Sequence, residues 1–182
     1  ERRAEAHYYN NVGVERMQAG DVRGAFLYLR RGLQSDADFA PLWTNLGTLY
    51  LRVQAPQHAE ASYLEALRAD DADMVAISSL ARLYEGLGDA GRAAHYRELA
   101  ARHRDNNPYF RYHRARKAFF ARDYAAALAD LDFAIRRKPG EDSFYLLRSM
   151  VRLQLGDARR ARADLERAAA AASDEALKRN YH

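Results

Sequence analysis

Shifted against itself by 34 residues, the sequence brings Ala25, Ala59, Ala93, Ala127 and Ala161 into one column without a gap. Gly32, Ala66, Ala100, Ala134 and Ala168 form a second column, and Gly13, Gly47, Ala81, Ala115 and Ser149 a third. A fixed period of about 20 to 50 residues marks a stack of like units, none of which can bury its apolar face alone. Small residues at three fixed places mean that two helices cross closely in every unit. The bulk recurs as well: Tyr9, Trp43, Ile77 and Tyr145 share one position, Val12, Leu46 and Leu80 another, and Leu29, Tyr63, Leu131 and Leu165 a third. Within a unit these residues fall at spacings of three and four, which is one face of a helix. With 36 Ala, only four Pro and few Val-Ile-Thr runs, the composition agrees with an all-helical chain.

The breakers keep the same step. Gly20-Asp21, Gly88-Asp89, Arg122-Asp123 and Gly156-Asp157 separate the two helices of a unit. Ser35-Asp36-Ala37, Asp70-Asp71-Ala72, Asp105-Asn106-Asn107 and Lys138-Pro139-Gly140 close a unit. Within EGLGDAGRAAHY, Gly86, Gly88 and Gly91 match the G-x-G-x-x-G spacing of a dinucleotide-binding loop. That loop requires a strand before it and a βαβ unit around it. Here ISSLARLYE, helical in period, precedes it, and Gly88-Asp89 stands in the column of Gly20-Asp21 and Gly156-Asp157. The glycines are therefore read as a turn between helices.

Trp43, Leu46, Gly47 and Tyr50 spell W-x-x-L-G-x-x-Y, and Ala59, Tyr63 and Ala66 follow. This pattern resembles the tetratricopeptide repeat, over nearly the whole chain, in units 6–39, 40–73, 74–107, 108–141 and 142–175. The resemblance implies an all-α fold, a right-handed superhelical solenoid of antiparallel helix pairs. Residues 1–5 fit the end of a preceding helix and 176–182 the start of a further helix or a cap, so a segment of a longer bacterial protein is expected. The fourth unit departs most from the family pattern. Arg111 and Arg114 stand where apolar residues are usual, so a rotated or differently packed first helix is expected there.

The sequence holds no catalytic constellation. There is no Cys, hence no disulfide framework and no thiolate nucleophile or ligand, and the compartment, cytoplasmic or periplasmic, is left open. The six histidines form no H-x-x-x-H or H-E-x-x-H pair, so no metal and no cofactor is expected. Carboxylate pairs such as Asp70-Asp71 and Glu141-Asp142 fall in turns, where they cap helices. Ser78-Ser79 and Ser143 lack a histidine and carboxylate that the fold would bring to them. No apolar run approaches membrane-spanning length. The formal net charge of +4 is interleaved with 25 acidic residues, which counts against a nucleic-acid arm or an RNA-reading repeat.

In the family, first helices line a concave groove. By position the resemblance assigns to it Asn11, Asn45, Ser79 and His113, the arginines Arg52, Arg82 and Arg116, and an apolar pocket of Tyr112, Phe119 and Met150. Asn11 and Asn45 resemble the start of the asparagine ladder by which longer arrays grip peptide backbone, an amide being both donor and acceptor. The arginines suit a ligand with acidic groups, since guanidinium forks bind carboxylates. The expected function is a non-enzymatic protein-interaction scaffold that binds an extended peptide or partner helix. YYNNVG and NNPYF also resemble repeat tails of bacterial proteins with a transglutaminase-like domain. That likeness implies a segment that docks or spaces another domain.

Overall fold

The structure, a computed structural model, describes residues 1–179. Ten α-helices fill it, joined by short turns, with no strand among the described residues. They are α1 (Arg2–Gln18), α2 (Val22–Ser35), α3 (Ala40–Arg52), α4 (Pro56–Ala69), α5 (Met74–Gly86), α6 (Ala90–Asp105), α7 (Pro108–Phe120), α8 (Tyr124–Arg137), α9 (Asp142–Gln154) and α10 (Ala158–Arg179). The even-numbered helices begin at Val22, Pro56, Ala90, Tyr124 and Ala158, and α3, α5, α7 and α9 at Ala40, Met74, Pro108 and Asp142, every step being 34 residues. Residues 2–5 form the first turn of α1. Residues 176–179, expected to begin a further helix or cap, continue α10, and 180–182 lie outside the described residues.

The turns inside the pairs repeat one backbone device. Gly20, Gln54, Gly88, Arg122 and Gly156, spaced at the period, all have positive φ, between 58° and 78°. Glycine reaches that region without a Cβ penalty, so Gly88 is a chain-reversal residue and not part of a phosphate loop. The Asp that follows caps the second helix: Asp21, Asp89, Asp123 and Asp157 accept from the backbone N–H of Gly24, Arg92, Ala126 and Arg160. Each satisfies a donor that a helix start leaves open. Between pairs, Asp73 and Asn107 do the same for α5 and α7. Glu141, by contrast, accepts from the Tyr109 hydroxyl and pairs with Lys138.

The chain divides into two compact units, the first Glu1–His103 and the second beginning at Arg104. In the first unit Leu29, Leu42, Leu46 and Leu49 form one core cluster with Met17, and Tyr63, Leu80 and Tyr84 another with Ala59 and Ala93. Close crossings explain the small columns. A Cβ on Gly47 would fall 2.7 Å from the Tyr63 ring, and one on Gly13 2.7 Å from the Leu29 side chain. Trp43 packs against both clusters but is only half-buried, because its indole N–H reaches out to the Ala37 carbonyl at 2.7 Å.

The second unit is held differently. Arg111 and Arg114 leave α7 in register and turn inward onto the buried Asp130 of α8, Arg114 through two hydrogen bonds of 2.6 Å and Arg111 through one of 2.9 Å. Burial by itself would raise the Asp130 carboxyl, but the bonds from Arg114 and Arg111 outweigh it and hold the group below its ordinary value. The arrangement recurs one period on: Arg148 of α9 binds Asp164 of α10 through Nε at 2.9 Å and Nη2 at 2.7 Å. Arg152 adds a third bond to Asp164, and Arg148 also reaches Asp132 at 2.6 Å. The family pattern has apolar side chains at the Arg111 and Arg114 positions. In the same column as Leu29, Tyr63 and Leu131, all fully buried, Leu165 is 45% exposed, since α10 is the last helix among the described residues.

Candidate binding clefts

Each unit carries a cleft between the first helices of consecutive repeats. In the first unit a cavity of about 360 Å³ is lined by Leu51 of α3, by Ser79, Arg82, Leu83 and Gly86 of α5, and by Leu87 at its C-cap. Arg82 is exposed and makes no hydrogen bond or ion pair, and Glu85, one turn further on, is taken by Arg97 at 2.9 Å. Ser79 lines the cavity although it is only 3% exposed. The same helix face carries Asn11, exposed on α1, and Asn45 on α3. Asn45 donates its amide to Asn10 at 2.8 Å, a bond between neighbouring repeats that occupies the group a backbone ladder would use. Arg52 donates to the Met17 carbonyl at 2.7 Å and so satisfies the open end of α1.

In the second unit a cavity of about 220 Å³ is lined by Tyr112, Arg116, Phe119 and Phe120 of α7 and by Ser143, Leu146, Leu147 and Met150 of α9. Four residues named from the sequence, Tyr112, Arg116, Phe119 and Met150, thus share one cavity. Phe120, at 77% exposure, and Met150, at 48%, leave apolar surface to water. Tyr112 packs at a tilt against the buried Phe144, which fixes one wall. Arg116 is exposed and has no hydrogen-bond or ion-pair partner. His113 is exposed beside Tyr112 and lies outside the cavity lining. Phe120 and Ser143 were not assigned to the lining from the sequence, and the Phe119-Phe120 pair at the end of α7 was the signal for the first of them.

Among the described residues no group of three His, Asp or Glu is placed to hold a metal ion, and no helix is long and apolar enough to cross a membrane.

The family model described as tetratricopeptide repeat matches residues 40–73. With the helix pairs and turns repeating at that same length, the assignment follows. The chain folds as a tetratricopeptide-repeat array. Solved arrays agree: MamA is 17% identical at a TM-score of 0.51, with 95% of this chain and 94% of that one covered. YrrB, described as a tetratricopeptide protein with an unusual peptide-binding site, is 17% identical at a TM-score of 0.50, with 93% and 87% covered. PilF of Pseudomonas aeruginosa is 16% identical at a TM-score of 0.53, with 93% and 78% covered. At such identities the likeness is one of fold. No curated protein matches the chain in sequence. Tetratricopeptide arrays as a class are scaffolds that bind protein or peptide partners on their repeat surfaces.

Proposed function

We propose that this array is a protein-interaction scaffold whose first helices hold an extended peptide or a partner helix. One observation carries the reading: the apolar cleft of each unit is lined by first helices and contains an arginine with no partner of its own. Buried anchors supply holding energy and charges supply steering and register, so a cleft that offers both is suited to a peptide ligand. The peptide-binding site described for YrrB, an array of like fold, supports the same reading.

The test is a titration of a partner captured from the source organism against three variants. Arg82→Glu with Arg116→Glu should weaken binding, most strongly at low salt where screening is least. Phe119→Ala should speed dissociation with little salt dependence. Arg159→Glu with Arg160→Glu, on the second helix α10, should change little. If only that last pair reduces affinity, the first-helix surface is not the working one.

A further inference from the structure

Arg82 and Arg116 occupy one column of the repeat, 34 residues apart, and each lines a cavity from a different side, Arg82 from the later of its two helices and Arg116 from the earlier. Each lies within one unit, between α3 and α5 in the first and between α7 and α9 in the second. No carboxylate lines either cavity. The carboxylates near them in sequence are already engaged: Glu85 by Arg97, Glu141 by Lys138 and Tyr109, Asp123 as the cap of α8, and Asp142 by the Ser143 N–H. A cation without a counter-charge beside an apolar wall is complementary to a ligand in which a carboxylate adjoins an apolar side chain.

The walls differ in kind. The first cavity is aliphatic, from Leu51, Leu83 and Leu87, and is the larger. A Cβ on Gly86 would meet nothing within 4 Å. The second cavity is aromatic on its α7 side, which favours an aromatic anchor through edge and face contacts.

We propose that the two cavities are separate sites of one ligand chemistry, each taking an apolar side chain of an extended acidic peptide while the neighbouring carboxylate pairs with Arg82 or Arg116. This rests on the scaffold reading above and adds to it the partner class, a peptide in which acidic residues flank apolar anchors, and the number of sites.

The probe is a blocked peptide of the form Asp-Phe-Asp, titrated into the isotope-labelled full chain while backbone amide shifts are followed. Both cavities should respond, with separate saturation curves. Arg116→Glu should weaken the second site by about fivefold or more, the upper end of what an exposed ion pair is worth, and leave the first unchanged. Arg82→Glu should do the converse. Neither arginine has a partner to lose, and circular dichroism of each variant confirms that it is folded. Probes with Lys for Asp, or Ala for Phe, should bind neither site. The proposal is overturned if one substitution weakens both sites equally, if neither does, or if millimolar probe shifts no amide in either cavity. Shifts confined to Asn11, Asn45 and His113 would overturn it while leaving the scaffold reading in place. Shifts confined to second helices would overturn both.

Discussion

Replacing Asp164 with alanine removes the acceptor of three hydrogen bonds from charged donors, two from Arg148 and one from Arg152. At about 1.5 to 3 kcal/mol for each such bond the gross loss is about 4.5 to 9 kcal/mol. Two features reduce it: Arg148 keeps Asp132 at 2.6 Å, and the Arg152 side chain, 18% exposed, can turn to water. The net cost should therefore be about 3 to 5 kcal/mol, the usual penalty when one partner of a buried pair is deleted and the other stays. Urea denaturation measures it by two signals. Far-UV circular dichroism reports all the helices, whereas the fluorescence of Trp43, the chain's one tryptophan, reports the first unit. The substitution should shift the first signal and leave the second nearly in place. A double variant, Arg148→Leu with Asp164→Ser, installs the residues that stand buried at the same columns in the second repeat, Leu46 and Ser62, and should recover most of the loss. A single-variant loss below about 1 kcal/mol, the range of solvated pairs, would refute the reasoning, as would a double variant no better than the single one.

Further tests address other parts of the fold. Gly47→Ala places a methyl 2.7 Å from the Tyr63 ring and should cost about 1 to 3 kcal/mol by thermal denaturation, an unchanged midpoint showing that α3 and α4 have room to part. Asp130, held below its ordinary carboxyl value, contributes stability that is present above the unfolded value of about 3.9 and lost as pH falls through the folded one. The urea midpoint should drop in acid, and Asp130→Asn should flatten that dependence. Burial, then the hydrogen bond to Glu60, pushes the Tyr84 phenol up to about 12, so its contribution is whole below about pH 10 and lost as pH rises through the higher value. A difference titration against Tyr84→Phe should show the missing phenolate step there, and a step near the ordinary value would contradict the burial argument. Trp43→Ala should cost about 3 kcal/mol in urea, the low end for a large aromatic, because the ring is only half-buried.

Much of the fold was legible because close helix crossings and left-handed turns tolerate few residues. Ala25, Ala59, Ala93, Ala127 and Ala161 are all buried at crossings, and Gly20, Gly88 and Gly156 all turn the chain. Gln54 adopts the same turn without glycine and so left no mark in the sequence. Trp43 shares its column with the buried Ile77 and Tyr145, but an indole N–H needs an acceptor, and the Ala37 carbonyl draws it to the edge. Arg111 and Arg114 looked like a defect in the fourth repeat when each column was read alone. Read in pairs, Arg114 with Asp130 recurs as Arg148 with Asp164 at the same separation of sixteen residues, a coupled change that one column cannot display. Arg52 and Arg82 look alike in sequence, and only the structure separates the one bound to a helix end from the one without a partner.

The two kinds of arginine on α7 belong to one device. Arg114 and Arg116 are two residues apart, about 200° around a helix of 3.6 residues per turn, so a helix that turns the first inward must turn the second outward. Arg114 is clamped by two oxygens of Asp130, a planar, two-point contact that fixes rotation of α7 as well as its distance from α8. A leucine in its place would tolerate small rotations, as apolar packing is non-directional. Fixing α7 in this way also fixes Tyr112, Arg116 and Phe119 relative to α9, where the opposite wall of the cavity stands. The buried ion pairs thus offer more orientation than stability. Loss of Asp130 should then loosen the second cavity even in solutions where the fold survives, while leaving the cavity built on Arg82 in the first unit untouched.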